Sequence, residues 1–570
     1  MQAKKAVNNI KLANLFFISF SKNMSTFGDY KSYKNFAPQY SEWKTTRDFA
    51  EAKRITYLKQ NPHEIREKDI QKSKTLLRAI DVMDEYSQKR AEDMEIATES
   101  VVSNVMEIAL MLGSVLGMGL YFAVMAAKGQ LPKAIEGIKN PNQKKLATGT
   151  IVSAITGGVL GTAAAFPLYA WAAKAEVKAS RKGRFEAMNK ELKDPKTFAT
   201  LSPEQEEELN TNLAILSLTK KSKTPITRLK DGVKAIKDML FDSKEYQQQK
   251  LAFDEKCIAE KQHFDKELTE EEIEKAKEDQ QLLTKLVEKI DIASQDYAEN
   301  AELATSALTT TIFGFGALFT LLYEKVATKL KLPKTTVPAI LSISLMVFAS
   351  IFSASIQKQA ARVGRFKAKQ ELMQNPEKLV YVSDEKTNEI TDIEFEPYKK
   401  QGMFKFLKNA WKNNKEFENW KKTEGEKQKK LSEAMESIEL SEEQIQDAKR
   451  LQKNTFKTFN KVDEKSQRYS ESLEALGQAV QYPISLIASS IGLIFGMKHL
   501  NKAMELKGSQ AMNELMKYLA CVFVSTLPSL GLNAYITKEQ KKASRVADML
   551  AIKEIEDHRN FADYSKFMDK

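Results

Sequence analysis

Twelve residues, DEYSQKRAEDME from Asp84 to Glu95, decide the fold because the chain repeats their pattern twice more. The second copy is DIASQDYAENAE, from Asp291 to Glu302, and the third is DEKSQRYSESLE, from Asp463 to Glu474. Each copy begins with Asp, continues with Ser-Gln three and four residues later, and ends with two glutamates at equivalent positions. Repetition at this level indicates one structural unit that is copied and packed against itself.

A pair of long uncharged segments follows each copy of the motif. About 20 apolar residues in a helix are enough to cross a lipid bilayer, and all of these segments are long enough and free of charged residues. We therefore predict six transmembrane helices arranged as three hairpins. The predicted spans are residues 108–127, 147–173, 303–323, 335–357, 475–497 and 518–537.

The predicted fold class is thus all-α, an integral membrane protein whose three repeated helical hairpins carry long soluble helical extensions. The helices before the second and third motifs begin with a capping box, in which Thr269 pairs with Glu272 and Ser441 pairs with Gln444. The predicted segments are an N-terminal region, partly disordered or interfacial, at 1–60, repeat 1 at 61–190, a soluble helical insert at 191–267, repeat 2 at 268–370, a second soluble helical insert at 371–439 and repeat 3 at 440–570.

A related basic segment follows each hairpin. It reads ASRKGRF from Ala179, AARVGRF from Ala360 and ASRVADM from Ala543. The first two copies share Arg-x-Gly-Arg-Phe, whereas the third has Asp548 at the position of the second arginine. A hairpin enters and leaves on the same side, so we expect this basic segment to lie beside the acidic motif.

The polar residues of the motif form the candidate functional site. On a helix, its first, fifth and twelfth residues fall within one narrow stripe, and the ninth flanks that stripe. The candidate stripe, an inter-helix contact or a pore mouth, comprises Asp84, Gln88, Glu92, Glu95, Asp291, Gln295, Glu299, Glu302, Asp463, Gln467, Glu471 and Glu474. Its candidate basic partners are Arg181, Arg184, Arg362, Arg365 and Arg545.

Two interpretations of this stripe are open. Ion pairs between acidic and basic segments would fasten the helices of one unit together, or one unit to the next. Alternatively, three copies around a pseudo-threefold axis would place a ring of carboxylates at a pore mouth, where such rings attract cations. The centres of the spans contain no acid or base, which disfavours a coupled transporter.

Composition excludes several other classes of protein. The 88 basic and 76 acidic residues give a net charge of +12, but the two signs alternate along the helices, which does not favour nucleic-acid binding. Cys257 and Cys521 lie in unlike surroundings, and the four histidines have no ligand spacing, so no disulfide, metal or cofactor is expected. The sequence also lacks the phosphate-binding, nucleophile-elbow and metalloprotease motifs of common enzyme classes.

These observations predict a non-enzymatic integral membrane protein with a cytoplasmic helical bundle that acts as a scaffold. The alternative is a cation channel or small-solute permeation pathway formed by three pseudo-symmetric hairpins. The predicted partners are the lipid bilayer and, through the soluble helices, other proteins. The predicted location is the plasma (inner) membrane, multi-pass, with the termini and large inserts in the cytoplasm.

Overall fold

The computed structural model describes most of the chain. The residues that it does not describe include nearly all of the first predicted hairpin and parts of both inserts. The described residues are 2–91, 94, 127, 175, 178–217, 244–264, 266–330, 356–357, 359–388, 390, 393, 403–422, 431–506 and 508–564. For residues 2–27, 303–330 and scattered positions in other helices, only the backbone is described. Helix accounts for 87% of this part of the chain, which contains no strand, in agreement with the all-α part of the predicted fold class.

The helices vary widely in length. The α-helices are α1 (Gln2–Gln60), α2 (67–91), α3 (178–190), α4 (Pro203–Ser217), α5 (Lys244–Lys261), α6 (Glu270–Leu330), α7 (359–374), α8 (Asp384–Asn388), α9 (Met403–Trp420), α10 (Leu431–Met435), α11 (Glu442–Glu505) and α12 (Gly508–Ile555). Short 3₁₀ turns lie at Pro62–Glu64, Pro195–Phe198, Pro376–Lys378 and His558–Phe561. The capping box at Ser441 and Gln444 is confirmed at the start of α11.

The prediction of an integral, multi-pass membrane protein is wrong. Within the described residues, no helix combines the length and the sustained apolarity that crossing a membrane requires. The assignment to the plasma membrane, with termini and inserts on its cytoplasmic side, falls with the predicted spans. Spans 108–127, 147–173 and 335–357 lie almost entirely outside the described residues, and 303–323 is described only as helical backbone.

The physical reason is that absence of charge is a weaker criterion than apolarity. In the third hairpin, uncharged polar residues interrupt both predicted spans, for example Gln478 and Gln481 in 475–497 and Asn533 in 518–537. Serine, threonine and glycine lower the mean hydropathy of such a segment further, although none of them adds a charge.

Three helices that we call the inner helices occupy the centre of the described fold. They are α2, the first part of α6 and the first part of α11. Buried side chains recur in each at alternating spacings of three and four residues, the heptad pattern of a coiled coil. These positions are Asp69, Lys72, Leu76, Ala79 and Met83; Ala276, Asp279, Leu283, Leu286 and Ile290; and Ala448, Leu451, Thr455, Thr458 and Val462. Most of them belong to one hydrophobic core.

The inner helices run parallel. Near their starts, the fully buried carboxylate of Asp279 binds Lys72 Nζ at 2.8 Å and Arg450 Nε at 3.0 Å. Further along the same three helices, the repeated aspartates Asp84 and Asp291 meet, together with Asp463, around one cavity. In each inner helix the residue of the first layer precedes the aspartate of the second layer in the sequence. The three helices therefore point the same way.

Two further sets of helices surround this centre. The return helices, α3, α7 and the last part of α12 from Thr537 onward, follow the predicted hairpin segments in the sequence and carry the basic segments. We call α2 with α3 unit 1, α6 with α7 unit 2, and α11 with α12 unit 3. The outer helices, α5, α9 and α1, cover units 1, 2 and 3 respectively, as the side-chain contacts described below show.

A 3₁₀ turn after each return helix closes the core at the end where the inner helices begin. We call this end, which contains Asp279, the lower end. After unit 2, the carbonyl oxygen of Leu379 accepts a hydrogen bond at 2.6 Å from Ser73 Oγ on α2 of unit 1. In unit 3, Asn454 Nδ2 donates to the Phe561 carbonyl oxygen at 2.9 Å. The phenyl ring of Phe198 after unit 1 meets Phe456 of α11 edge-on, with centroids 5.6 Å apart.

Candidate functional site

The first residue of each repeated motif points to one place in the molecule. Asp84, Asp291 and Asp463 line a single cavity of about 10 Å³, together with Arg365 of the return helix α7. The residues four positions earlier, Ile80, Val287 and Phe459, line it too, together with Val462. A cavity of this size has room for about one water molecule. We call this layer, with the return-helix residues that reach it, the polar ring.

Unit 1 reaches unit 3 at the first joint of the polar ring. Arg184 of α3, only 1% exposed, forms an ion pair with Asp463 of α11. Its Nη2 also donates a hydrogen bond to Gln467 Oε1 at 3.2 Å. Gln467 Nε2 in turn donates to Ser180 Oγ at 2.9 Å. Arg181, one turn before Arg184, pairs with Glu464 at 3.3 Å. The return helix of unit 1 therefore binds the inner helix of unit 3.

Unit 2 reaches unit 1 at the second joint by the same residue types. Arg365 of α7 lies 3.2 Å from Asp84 Oδ1 of α2. Arg362 Nε donates a hydrogen bond to Gln88 Oε1 at 3.0 Å. Arg365 and Asp84 occupy the repeat positions of Arg184 and Asp463, so the first two joints are equivalent contacts.

Unit 3 reaches unit 2 at the third joint, and here the chemistry differs. Asp548 of α12 stands where the other return helices carry arginine, and its carboxyl group lies beside that of Asp291, since Gln295 Nε2 contacts Asp291 Oδ2 at 2.6 Å and Asp548 Oδ2 at 3.5 Å. Gln295 Nε2 donates to Ser544 Oγ at 2.7 Å, which repeats the Gln467–Ser180 contact of the first joint. Arg545 pairs with Asp296 one turn further along α6. Three joints therefore connect the three units in a closed ring.

Separate contacts hold the two helices of each unit together. In unit 1, the hydroxyl oxygens of Ser87 and Ser180 lie 2.5 Å apart, and in unit 3 those of Ser466 and Ser544 do the same. In unit 2, Ala361 takes the position of the return-helix serine. The serine of the motif thus serves contact within a unit, whereas the aspartate and glutamine serve contact between units.

The glycine of Arg-x-Gly-Arg-Phe permits close approach of the two helices in a unit. A Cβ at Gly183 would overlap the carbonyl oxygen of Tyr86, and a Cβ at Gly364 would overlap that of Ala293. Tyr86 and Ala293 are both the third residue of their motif. In unit 3, Ala547 takes the glycine position and is fully buried.

The residue after the second arginine binds the outer helix. Phe185 meets Phe253 of α5 edge-on at 6.2 Å between ring centroids. Phe366 meets Phe417 and Trp420 of α9 at 5.8 and 5.4 Å. The helix α1 completes the set on unit 3.

The aromatic residues of α1 form a core with the return helix and the inner helix of unit 3. Met549, the counterpart of Phe185, is buried in the same cluster as Tyr33 and Tyr469, with Trp43 packed against it. Tyr469 Oη donates a hydrogen bond to Ser32 Oγ at 2.7 Å, and Arg468 pairs with Asp29 at 2.7 Å. The N-terminal helix therefore covers the last unit, as the two inserts cover the units before them.

Burial of so many carboxyl groups in one layer changes their titration. Burial raises the pKa of Asp84 to about 7, and the negative charges of Asp463 and Asp291 add to the rise, while Arg365 opposes it. Burial also raises the pKa of Asp291, against the effect of Arg365. Asp279 of the lower layer behaves oppositely: burial favours its neutral form, but Lys72 and Arg450 lower the pKa below its ordinary value.

The structure thus brings together the aspartates and glutamines of the predicted stripe and the predicted arginines. The glutamates are placed differently. Glu302 accepts a hydrogen bond from Thr537 Oγ1 at 2.6 Å and lies 3.8 Å from Lys541, both on α12. Glu299 is half-buried on α6. The side chains of Glu92, Glu95, Glu471 and Glu474 lie outside the described residues.

Sequence reasoning missed the lower polar layer of Lys72, Asp279, Arg450 and Asn454. Asn454 Nδ2 donates to Asp279 Oδ2 at 2.9 Å, within the same buried network. A signal was present, because Lys72 and Asp279 lie twelve residues before Asp84 and Asp291, at heptad positions where apolar residues are the rule.

Chemically, this arrangement pairs acids with bases and with amides across helix joints. Within the part of the chain that is described, histidine, cysteine and carboxylate side chains nowhere form a group suited to bind a metal ion. Comparisons of the chain with protein-family models, with curated proteins and with solved structures gave no match.

Proposed function

We propose that this protein is a non-enzymatic scaffold, in which a ring of three repeated units holds its helices in a fixed arrangement for partner proteins. The observation that carries the proposal is the closed set of joints. Each return helix binds the inner helix of the neighbouring unit through residues of the repeated motif. The most conspicuous polar residues of the sequence are therefore occupied by contacts within the chain.

The outer helices support the same function. Unit 3 is covered by the first helix of the chain, so the ring joins the N-terminal region to the last repeat. Tyr33 Oη donates a hydrogen bond to Glu539 Oε2 at 2.7 Å, and Arg47 Nε lies 3.0 Å from Glu288 of α6. Because α1 contacts two different units, it helps to keep the units of the ring together.

Protein partners would bind the charged, outward-facing surfaces of the outer helices.

The alternative, a permeation pathway, has less support from the polar ring. Its carboxyl groups turn inward on a cavity with room for about one water molecule, and Arg184 and Arg365 neutralise two of them. A cation pathway requires carboxylates that face a continuous polar space. The residues of the polar ring therefore favour a role in joining helices over a role in conducting cations.

The test compares ring variants with a matched control. In Arg184→Ala and Arg365→Ala a joint loses its ion pair, whereas Arg559→Ala removes a half-exposed arginine that pairs with Asp557 in the same turn. Hydrogen–deuterium exchange of the full chain should accelerate in the inner and return helices of the affected joint and remain unchanged in the control.

Affinity purification followed by quantitative mass spectrometry then tests the scaffold itself. We expect a set of proteins that copurify with the wild type and the control but are lost from both ring variants. Equal recovery from all four proteins would contradict the proposal. So would cation flux across vesicles carrying the protein, if Asp84→Asn abolished that flux without altering hydrogen exchange.

A further inference from the structure

The third joint differs from the other two in a way that requires an extra proton. Asp548 is 3% exposed, and its carboxyl group lies beside that of Asp291, because Gln295 Nε2 contacts an oxygen of each. An ionised carboxylate only accepts hydrogen bonds, so one of two neighbouring buried carboxyl groups can donate to the other only if it is protonated. We propose that the Asp291–Asp548 pair is a proton-binding site, and that loss of its proton loosens the joint between units 2 and 3.

The immediate surroundings give only partial compensation for a second negative charge. Gln295 Nε2 donates to Asp291 Oδ2 at 2.6 Å and lies 3.5 Å from Asp548 Oδ2. The hydroxyl group of Ser466 partly offsets the rise in the pKa of Asp548. Asp548 Oδ1 is buried and meets no hydrogen-bond donor among the described side chains. A proton on the pair supplies the missing donor.

Charged groups reach the pair from four further helices, and the positive ones have other partners. Arg365 of α7 pairs with Asp84 of α2. Arg545, one turn before Asp548 on α12, pairs with Asp296. The carboxylate of Asp463 on α11 adds negative charge, and Tyr40 of α1 faces Arg545 and Asp548.

The same surroundings set the sign of the pH effect. Burial raises the pKa of Asp548 well above its ordinary value, and its partner Asp291 raises it further. Burial likewise raises the pKa of Asp291. The folded protein therefore retains a proton at pH values where the unfolded chain has released it. The contribution of the pair to stability is fully present below the ordinary pKa of aspartate and is lost as the pH rises through the folded-state pKa.

The first experiment measures this linkage in the full chain. Between about pH 4 and neutrality, the unfolding equilibrium constant of the wild type should rise by up to about tenfold per pH unit for each retained proton. Asp548→Asn keeps the shape of the side chain and donates a hydrogen bond without a titrating proton, so it should reduce that slope. Glu556→Gln, which removes an exposed carboxylate after the same helix, should leave the slope unchanged.

The second experiment observes the proton directly. Infrared difference spectra recorded above the ordinary pKa of aspartate should show the carbonyl band of a protonated carboxylic acid, which both Asp548→Asn and Asp291→Asn weaken and Glu556→Gln does not. An unchanged slope in Asp548→Asn, or a band that both asparagine variants leave intact, would overturn the inference.

The functional consequence of this site rests on the proposed scaffold, but the two can fail separately. Asp548→Arg gives the third joint the residue type of the other two, opposite Asp291. We expect the protection factor of its joint, which corrects for the intrinsic pH dependence of amide exchange, to be the same below and above the folded-state pKa of the wild-type pair, whereas the wild-type joint loses protection as the pH rises through that pKa. If copurifying partners are absent but the proton linkage is present, the scaffold fails and the proton site stands.

Discussion

The first and third joints of the polar ring each connect a return helix to the inner helix of a neighbouring unit, but the side chains at the centre of the two joints differ in charge. At the first joint, the buried guanidinium of Arg184 meets the carboxylate of Asp463. At the third, Asp548 occupies the arginine position and meets Asp291. The neighbouring glutamine–serine contacts, Gln467–Ser180 and Gln295–Ser544, are nearly the same length in both, at 2.9 and 2.7 Å.

The comparison shows that the helix arrangement does not depend on one kind of charge pair. Buried ion pairs contribute little net stability relative to apolar pairs, but they penalise every arrangement that leaves a charge without its partner. An acid pair that shares a proton penalises wrong arrangements in the same way, and its strength depends on pH. The ring therefore combines two joints built on arginine–aspartate pairs with one in which two carboxyl groups lie side by side.

Loss of the buried arginine should have the largest effect. Arg184→Met removes the guanidinium and leaves the Asp463 carboxylate without it in a low-dielectric layer. We expect the free energy of unfolding to fall by roughly 3–5 kcal/mol, measured by denaturant titration. In the control, Arg559→Ala, we expect a change within about 0.5 kcal/mol. A loss below 1 kcal/mol in Arg184→Met would show that the first joint does not depend on its charge pair.

The titration of Asp84 should give the next largest effect. Because its pKa is raised to about 7 in the folded state, the folded protein holds a proton that the unfolded chain releases. Its contribution to stability therefore falls as the pH rises from about 4 to 7, by at most about 1.4 kcal/mol per pH unit. Asp84→Asn should remove this contribution in unfolding experiments across that range. An unchanged pH profile would contradict the burial of this carboxyl group.

Close helix approach within a unit should be tested at its glycines. Gly364→Ala forces a methyl group against the Ala293 carbonyl oxygen, and overpacking of this kind costs about 1–3 kcal/mol. Gly531→Ala is the matched control, since it is a helical glycine with open space around its Cβ position. We expect the control to be neutral or stabilising by up to about 1 kcal/mol, as thermal unfolding would report. Equal effects of the two substitutions would refute the close approach.

The serine pair should give the smallest effect. Ser180→Ala removes the hydrogen bonds to Ser87 and Gln467, at a cost of roughly 1 kcal/mol. The reverse change, Ala361→Ser in unit 2, supplies a hydroxyl opposite the buried Ser294 and should be neutral or mildly stabilising. Denaturant midpoints of the two variants measure both effects. Strong destabilisation by Ala361→Ser would mean that unit 2 is packed differently from units 1 and 3.

Part of this arrangement could be predicted from the sequence. The repeated Asp and Ser-Gln positions and the arginines of the basic segments are the residues that meet in the ring. The replacement of arginine by Asp548 was also visible as an exception. What the sequence left open was whether these residues join helices of one unit or of neighbouring units, and the structure uses the serine of the motif for the first and its aspartate and glutamine for the second.

Other features were hidden by polar residues at unexpected positions. Lys72, Asp279 and Thr455 occupy heptad positions of the inner helices, so the apolar pattern of a coiled coil is interrupted in each. The error about membrane spans had a related cause. Segments such as 518–537 contain no charge, but sequence reasoning did not weigh their uncharged polar residues against the apolarity that a span requires.

Cross-linking across a single joint tests the central claim, a closed ring of neighbouring units, most directly. With Cys257 and Cys521 replaced by alanine, the pair Ser180→Cys and Gln467→Cys places thiols on two residues whose side chains now share a hydrogen bond of 2.9 Å, 287 residues apart in the chain. Because a cysteine side chain is shorter than that of glutamine, a short bifunctional thiol reagent bridges the pair, and peptide mass spectrometry should recover the 180–467 cross-link in the folded monomer. The control pair Ser180→Cys and Gln295→Cys should give none. Efficient 180–295 cross-linking, with the 180–467 cross-link missing, would contradict the ring.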